Sequence, residues 1–122
     1  MRKNIKTRLK HVLSVLLLSG VAAIASAADA EQIAKGKSLF LNKKKGNCIA
    51  CHMINDSDAK LAGMQGPPIV AMQARFPDIA LLRAQVWDAT VRNPNTIMPP
   101  FGRHWILSES EIDAIVAYIY QF

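Results

Sequence analysis

The stretch Cys48-Ile49-Ala50-Cys51-His52 constrains this chain more than any other part of its sequence. Its cysteines are three positions apart, so they share one face of a helical turn, and a histidine follows at once. Cys-x-x-Cys-His is the attachment signature of a c-type haem. We therefore predict one haem c held covalently by Cys48 and Cys51, with His52 as a ligand to its iron. The chemistry of the chain would then be one-electron transfer.

Two other interpretations of this motif agree less well with the sequence. A redox disulfide of the thioredoxin type has the same cysteine spacing, but no βαβ pattern surrounds these cysteines. A structural zinc site needs four ligands, and the chain could supply them only from Cys48, Cys51, His52 and His104. The histidine of the motif follows the second cysteine directly, far from the usual spacing between the Cys pair and the His pair.

The first 27 residues have the pattern of a secretory signal peptide. Residues 12–25 are almost wholly apolar, and Ala25-Ser26-Ala27 supplies a cleavage site, with Ala28-Asp29-Ala30 as an alternative. The segment before them is basic and contains Arg2, Lys3, Lys6, Arg8 and Lys10. The apolar stretch is short for a membrane span, so an uncleaved anchor is the less favoured alternative. We expect a periplasmic protein without a membrane segment after cleavage.

The charge of the chain is concentrated in this leader. The whole sequence has 15 Lys and Arg residues against 9 Asp and Glu, and five of the basic residues but no acidic ones lie in residues 1–27. Residues 28–122 are therefore almost neutral, and we expect no binding to nucleic acid. They are long enough for one domain with a thin core, to which a covalent haem would add apolar volume.

Helical periodicity and helix caps predict an all-α domain over residues 28–122, with about four helices around one haem. Asp78 is the expected N-cap of one helix, and Ser108 with Glu111 forms the capping box of the last. We expect residues 53–76 to form a loop wrapped around the cofactor and residues 93–102 to form a second loop. The predicted helical ranges are 29 or 30 to 41, a short piece near 70–75, 78 to about 91, and 108 to the C-terminus.

The iron needs a second axial ligand on the face opposite His52. The candidates are Met53, Met64, Met72, Met98 and His104. Met53 adjoins His52 and cannot cross to the other face. Met98 is preferred because it stands between Asn93-Pro94-Asn95 and Pro99-Pro100, which stiffen the backbone that presents it. His104 and an open position remain alternatives. An open position would favour a sensor, whereas a His/Met pair would favour an electron relay.

Three residues after this loop have no settled role in the sequence. They are Arg103, His104 and Trp105. Either they face a partner or a haem propionate, or they form an ordinary surface turn followed by a packed Trp. Phe101, just before them, is expected to line the haem pocket.

Together these residues resemble a class I cytochrome c over nearly the whole of residues 28–122. Gly36 and Phe40 match the point at which the first helix of that family meets an aromatic residue of the last, here Tyr118. The resemblance implies the class I cytochrome c-like fold. It also implies that the carbonyl of Pro67, in the Gly66-Pro67 segment, accepts a hydrogen bond from Nδ1 of His52.

A narrower resemblance is to the SoxX family, the small cytochrome subunits of SoxAX complexes in bacterial thiosulfate oxidation. It is carried by residues 66–68 (GPP), 75–78 (RFPD), 82–90 (LRAQVWDAT) and 93–104 (NPNTIMPPFGRH). The resemblance implies the electron-accepting subunit of an L-cysteine S-thiosulfotransferase, which conjugates thiosulfate oxidatively to a cysteine of the SoxYZ carrier. A SoxA-like cytochrome subunit would complete the heterodimer and hold the sulfur chemistry, so no catalytic residue is expected here.

In this family the electrons pass on to a soluble acceptor cytochrome. A free-standing periplasmic carrier cytochrome is the alternative function for the chain, and a five-coordinate haem sensor is a third.

Overall fold

The computed structural model describes residues 29–122, and this part of the chain is all-α. The first helix, α1, covers residues 29–41. It is followed by α2 (Met72–Arg75), α3 (Ile79–Trp87) and α4 (Glu109–Ile119), with 3-10 turns at Cys48–Ala50 and Ala89–Val91. The expected class I cytochrome c-like fold with about four helices is confirmed. The predicted signal peptide over residues 1–27 lies outside the described residues.

Two of the helices begin where their capping residues predict. The Asp78 carboxylate accepts a hydrogen bond from the backbone N–H of Ala80 at 2.9 Å and so caps α3. At α4, the Ser108 hydroxyl accepts from the Glu111 N–H and the Glu111 carboxylate accepts from the Ser108 N–H at 2.8 Å. Both caps satisfy N–H groups that have no partner within the helix.

Helix α3 ends earlier than the periodicity predicts. The expected helix runs to about Val91, but the backbone turns extended at Asp88, with φ −153° and ψ 92°. The Asp88 carboxylate accepts hydrogen bonds from the N–H and the hydroxyl of Thr90, and these start the 3-10 turn Ala89–Val91. A short acidic side chain can compete in this way with the next helical hydrogen bond.

Helices α1 and α4 touch at the aromatic contact that the resemblance implies. The rings of Phe40 and Tyr118 are both buried, and their centroids lie 5.7 Å apart at 66°, an edge-to-face arrangement. Gly36 lets the helices approach, because a Cβ there would collide with the carbonyl of Ala114 and lie 2.9 Å from Cβ of Tyr118. The Tyr118 hydroxyl also donates to Asp56 at 2.8 Å, which ties the contact to the loop after the cysteine motif.

A Gly36→Ala variant should therefore be less stable than the wild type. Alanine favours a helix by about 1 kcal/mol over glycine, but the added methyl has no room against α4. Overpacking of this kind costs about 1–3 kcal/mol, so we expect a net fall in the free energy of unfolding. Denaturant unfolding followed by far-UV circular dichroism measures it. Lys35→Ala, at the exposed neighbouring position, is the control. A Gly36→Ala protein as stable as this control would contradict the close helix contact.

The core lies between α1, α3 and α4, and α4 supplies the largest group of its buried side chains. These are Ile112, Ala114, Ile115, Val116, Tyr118 and Ile119. Leu82 and Val86 of α3 join the same cluster, and Cys48 and Met98 pack against its edge. The cysteine motif and the Met98 loop therefore meet one apolar core. Within residues 29–122, no helix has both the length and the apolar character needed to cross a bilayer.

Candidate functional site

The cysteine motif forms one tight turn. Asn47 precedes it in the left-handed region, with φ 49°, and Cys48–Ala50 follows as a 3-10 turn. The N–H groups of Cys51 and His52 both donate to the carbonyl of Cys48, at 3.1 and 2.9 Å. The two cysteines and the histidine are thereby held on a single turn, as the spacing predicts.

The two cysteines are partly buried and are not joined to each other by a disulfide. Burial raises the pKa of the Cys48 thiol to about 12, so it stays protonated at neutral pH. Redox and nucleophilic cysteines need the opposite, a thiol whose pKa is lowered toward neutrality. The thioredoxin-type interpretation of the motif therefore has no support in the surroundings of Cys48.

The ring of His52 is oriented by the Gly66-Pro67 segment. Its Nδ1 lies 2.7 Å from the carbonyl oxygen of Pro67, as the resemblance implies. A carbonyl can only accept, so Nδ1 carries the hydrogen, and in a neutral imidazole Nε2 keeps its lone pair. A Cβ at Gly66 would lie 2.7 Å from Nδ1 and 2.9 Å from Nε2 of the same ring. Because residue 66 is a glycine, its backbone can lie against the imidazole ring and restrict the orientation of the ring.

The candidates for the second axial ligand differ in their surroundings. Met72 is 2% exposed and belongs to the core, whereas Met64 is 80% exposed. His104 is also exposed. Met98 is partly buried at the edge of the core, and its N–H donates to the Thr96 hydroxyl at 3.1 Å. Met98 therefore combines partial burial beside the apolar core with a place on a loop separate from the cysteine motif, and its role as the second axial ligand stays a prediction.

The loop that presents Met98 is fastened to the end of α3. The N–H of Gly102 donates to the carbonyl of Trp87 at 3.0 Å, and a Cβ at Gly102 would collide with the Trp87 ring. Next to this contact, Nε of Arg103 lies 2.9 Å from the Asp88 carboxylate. Sequence reasoning missed both contacts. The order Asp88-Ala89-Thr90 was an available signal, because aspartate readily accepts from the N–H two residues later.

Arg75, to which the sequence gives no role, braces the loop after the cysteine motif. Its guanidinium donates to the carbonyls of Pro68 and Val70, at 2.9 and 3.3 Å. The same side chain lies over the Phe76 ring, 5.9 Å from its centroid. Arg75 therefore holds the segment next to Pro67, and with it the acceptor that orients His52.

These residues fit a haem c by their donor chemistry. Two cysteine sulfurs stand on one turn, an imidazole presents Nε2, and a thioether lies on a separate loop. Apolar side chains next to the two loops, Val70 and Ile97, are 54% and 74% exposed and can pack on a porphyrin. A zinc set with His104 is not assembled, because no three His, Cys, Asp or Glu side chains within residues 29–122 are grouped as a metal site requires.

Comparison with known proteins agrees with this chemistry. The family model for cytochrome c matches residues 33–122. One relative, described as an uncharacterized lipoprotein of Aquifex aeolicus strain VF5, is 31% identical over 99 residues. The match covers 70% of this chain and 48% of the relative, so the chain spans about half the length of that protein.

Proposed function

The chain belongs to the cytochrome c family, whose members carry electrons on a covalently bound haem c, and we propose that Cys48 and Cys51 attach this haem while His52 and Met98 ligate its iron. When bound, haem c supplies a reversible one-electron couple. Pro67 holds the His52 ring with its hydrogen on Nδ1, which leaves Nε2 as the atom that would ligate the iron. Val70 and Ile97, beside the two loops, would cover part of a bound haem and keep water from it, which would help to tune its potential.

The observation that carries this assignment is the bond between Nδ1 of His52 and the Pro67 carbonyl. At 2.7 Å it fixes both the tautomer and the direction of the ring, which is the usual way in which a metal-ligating histidine is held. Met98, at the edge of the core on a separate loop, supports a six-coordinate relay over a five-coordinate sensor. A His/Met pair would also raise the reduction potential relative to a bis-histidine iron.

We further propose that the chain is the electron-accepting subunit of a SoxAX-type complex. In that reaction a cysteine thiolate of the SoxYZ carrier joins the outer sulfur of thiosulfate, an S–S bond forms, and two electrons leave. The support is the resemblance along residues 66–104 to the SoxX family. The chain's two cysteines both lie in the attachment motif, so it has no further thiol for sulfur transfer. That chemistry is proposed to lie on a SoxA-like cytochrome partner, and a soluble cytochrome is the proposed final acceptor.

The exposed side chain of Trp105 supports a subunit role. Trp105 is 79% exposed in a left-handed backbone conformation with φ 56°. A large apolar group of this kind is typical of surfaces that a partner covers. The sequence left open whether Trp105 is packed, and the structure shows that it is exposed.

The proposed location is the periplasm. The family match and the description of the relative as a lipoprotein agree with a place outside the cytoplasm. The basic and apolar pattern of residues 1–27 supports export by a signal peptide.

Co-purification with thiosulfate-dependent reduction tests the SoxAX proposal. The tagged chain is expressed in its native host and isolated with what binds it, and its ferric spectrum is followed after thiosulfate and SoxYZ are added. We expect a larger cytochrome to co-purify and the haem of this chain to become reduced. A SoxYZ carrier with its acceptor cysteine changed to serine is the control and should give no reduction. A chain that is always recovered alone, and that thiosulfate does not reduce when the partner is added, would favour the free-standing carrier.

A further inference from the structure

The loop that carries Met98 begins and ends at one place in the structure. Trp87 and Asp88 stand at its start, and Gly102 and Arg103 stand at its end. The N–H groups of Gly102 and Arg103 donate to the carbonyl of Trp87, at 3.0 and 3.5 Å. We refer to these four residues as the loop base. Met98 lies on the loop that the base closes, and Pro99 and Pro100 connect it stiffly to the end of the loop.

Asp88 is the charged member of the loop base that is withdrawn from water. Asp88 is 7% exposed, and both oxygens of its carboxylate have hydrogen-bond or ion-pair partners. One oxygen accepts from the N–H and the hydroxyl of Thr90, at 3.0 and 2.5 Å, and the other pairs with Nε of Arg103 at 2.9 Å. The hydrogen bonds from Thr90 come first among the causes that keep the pKa of this carboxyl below its ordinary value. Asp88 therefore acts as an anion that joins the start of the loop to its end.

We propose that Asp88 is a positioning residue that keeps the Met98 loop closed and thereby sets how firmly Met98 stays on the haem iron. The inference rests on the proposed ligation by Met98. With Met98 as a ligand, an external ligand could reach that side of the iron only after Met98 had withdrawn, and we expect this withdrawal to require the loop to open. The loop base resists opening through the backbone hydrogen bonds to Trp87, the packing of Gly102 on the Trp87 ring, and the Asp88–Arg103 pair. Of these, only the ion pair is made by two side chains, so a side-chain substitution can remove it while the backbone hydrogen bonds to Trp87 stay possible.

An ion pair between α3 and α4 provides a control. Nε of Arg83 lies 2.6 Å from the Asp113 carboxylate and joins α3 to α4. Asp113 thus pairs with an arginine as Asp88 does, and neither Asp113 nor Arg83 is hydrogen-bonded to the Met98 loop. The Arg83 guanidinium lies 5.7 Å from the centroid of the Trp87 ring, but the Asp113 carboxylate itself is outside the loop base. Asp88→Asn and Asp113→Asn therefore make the same chemical change, one at a carboxylate of the loop base and one at a carboxylate outside it.

Imidazole binding to the ferric, haem-loaded protein tests the proposal. Imidazole displaces the thioether, so its affinity reports how easily the loop opens, and the near-infrared sulfur-to-iron band reports the bond that is lost. We expect Asp88→Asn to bind imidazole about tenfold more tightly than the wild type, because a hydrogen bond to a charged group is lost at the loop base. Asp113→Asn should stay within about twofold of the wild type, since exposed ion pairs contribute little. Asp88→Glu, which keeps the carboxylate, should recover part of the difference.

Two results would overturn the inference. The first is that Asp88→Asn and Asp113→Asn bind imidazole with the same affinity. This holds also if the unfolding midpoint of Asp88→Asn falls, because Asp88 would then stabilise the fold without positioning Met98. The second is a wild type that lacks the sulfur-to-iron band, which would remove the Met98 assignment together with this inference. Should Asp88→Asn fail to fold, Arg103→Gln replaces it, because Arg103 is exposed and its loss leaves Thr90 on the carboxylate. That variant should bind imidazole more tightly than wild type by about threefold.

Discussion

A Met98→His variant should have a midpoint reduction potential lower than that of the wild type by a few tenths of a volt, within the ~0.8 V range that axial ligands span. A thioether raises the potential of a haem iron relative to a second imidazole, so exchanging one for the other stabilises the ferric state. A spectroelectrochemical titration measures the shift. The sulfur-to-iron band of the ferric protein should disappear in the same variant.

Met64→His is the matched control for this experiment. Met64 is 80% exposed, so the same substitution there should leave both the potential and the near-infrared band at their wild-type values. Two results would show that Met98 is not the iron ligand. One is a near-infrared band that is lost in Met64→His but kept in Met98→His, and the other is a Met98→His variant with the wild-type potential.

Replacing both attachment cysteines should abolish the folded, coloured protein. In a Cys48→Ala, Cys51→Ala variant the haem has no covalent link, and the small domain loses much of the apolar volume at its centre. Cys48 itself packs against the core cluster, so the turn also loses part of its own packing. We expect no haem absorption after purification and no cooperative unfolding transition by circular dichroism.

A conservative substitution at an exposed position near the motif is the control for the double variant. Ser57→Ala should keep both the colour and the cooperative transition, because Ser57 is exposed. A double cysteine variant that unfolds cooperatively at the wild-type midpoint would show that the fold does not depend on covalent attachment.

The sequence was most informative where local chemistry decides the structure. Asp78 and the Ser108–Glu111 box mark the starts of α3 and α4 because a capping side chain satisfies N–H groups only a few residues away. The contact of Gly36 and Phe40 with Tyr118 was available only through the resemblance, since spacing along the chain does not show which helices touch. The helix predicted from the periodicity runs to about Val91, whereas α3 ends at Trp87. The pattern of apolar residues carries no information on the hydrogen bonds that Asp88 makes outside the helix.

The same distinction applies to the site. The cysteine motif and the prolines around Met98 are local patterns. They predicted Cys48 and Met98 as site residues, and in the structure both pack against the core cluster. The pair Asp88–Arg103 joins positions far apart in sequence, and each looks ordinary alone, one as a helix residue and the other as a surface arginine. Arg75 is a similar case, because its acceptors are backbone carbonyls that any residue could provide. Roles of this kind depend on tertiary contacts and follow only from the fold.

Extraction of the native protein with acidified acetone tests the central claim, a haem covalently linked to Cys48 and Cys51, most directly. The solvent dissolves a haem that is held only through its iron, whereas thioether links survive it. We expect the colour to stay with the precipitated polypeptide, whose intact mass should exceed that of the apoprotein by one haem. Pigment in the acetone phase, above a colourless polypeptide of unmodified mass, would contradict the account.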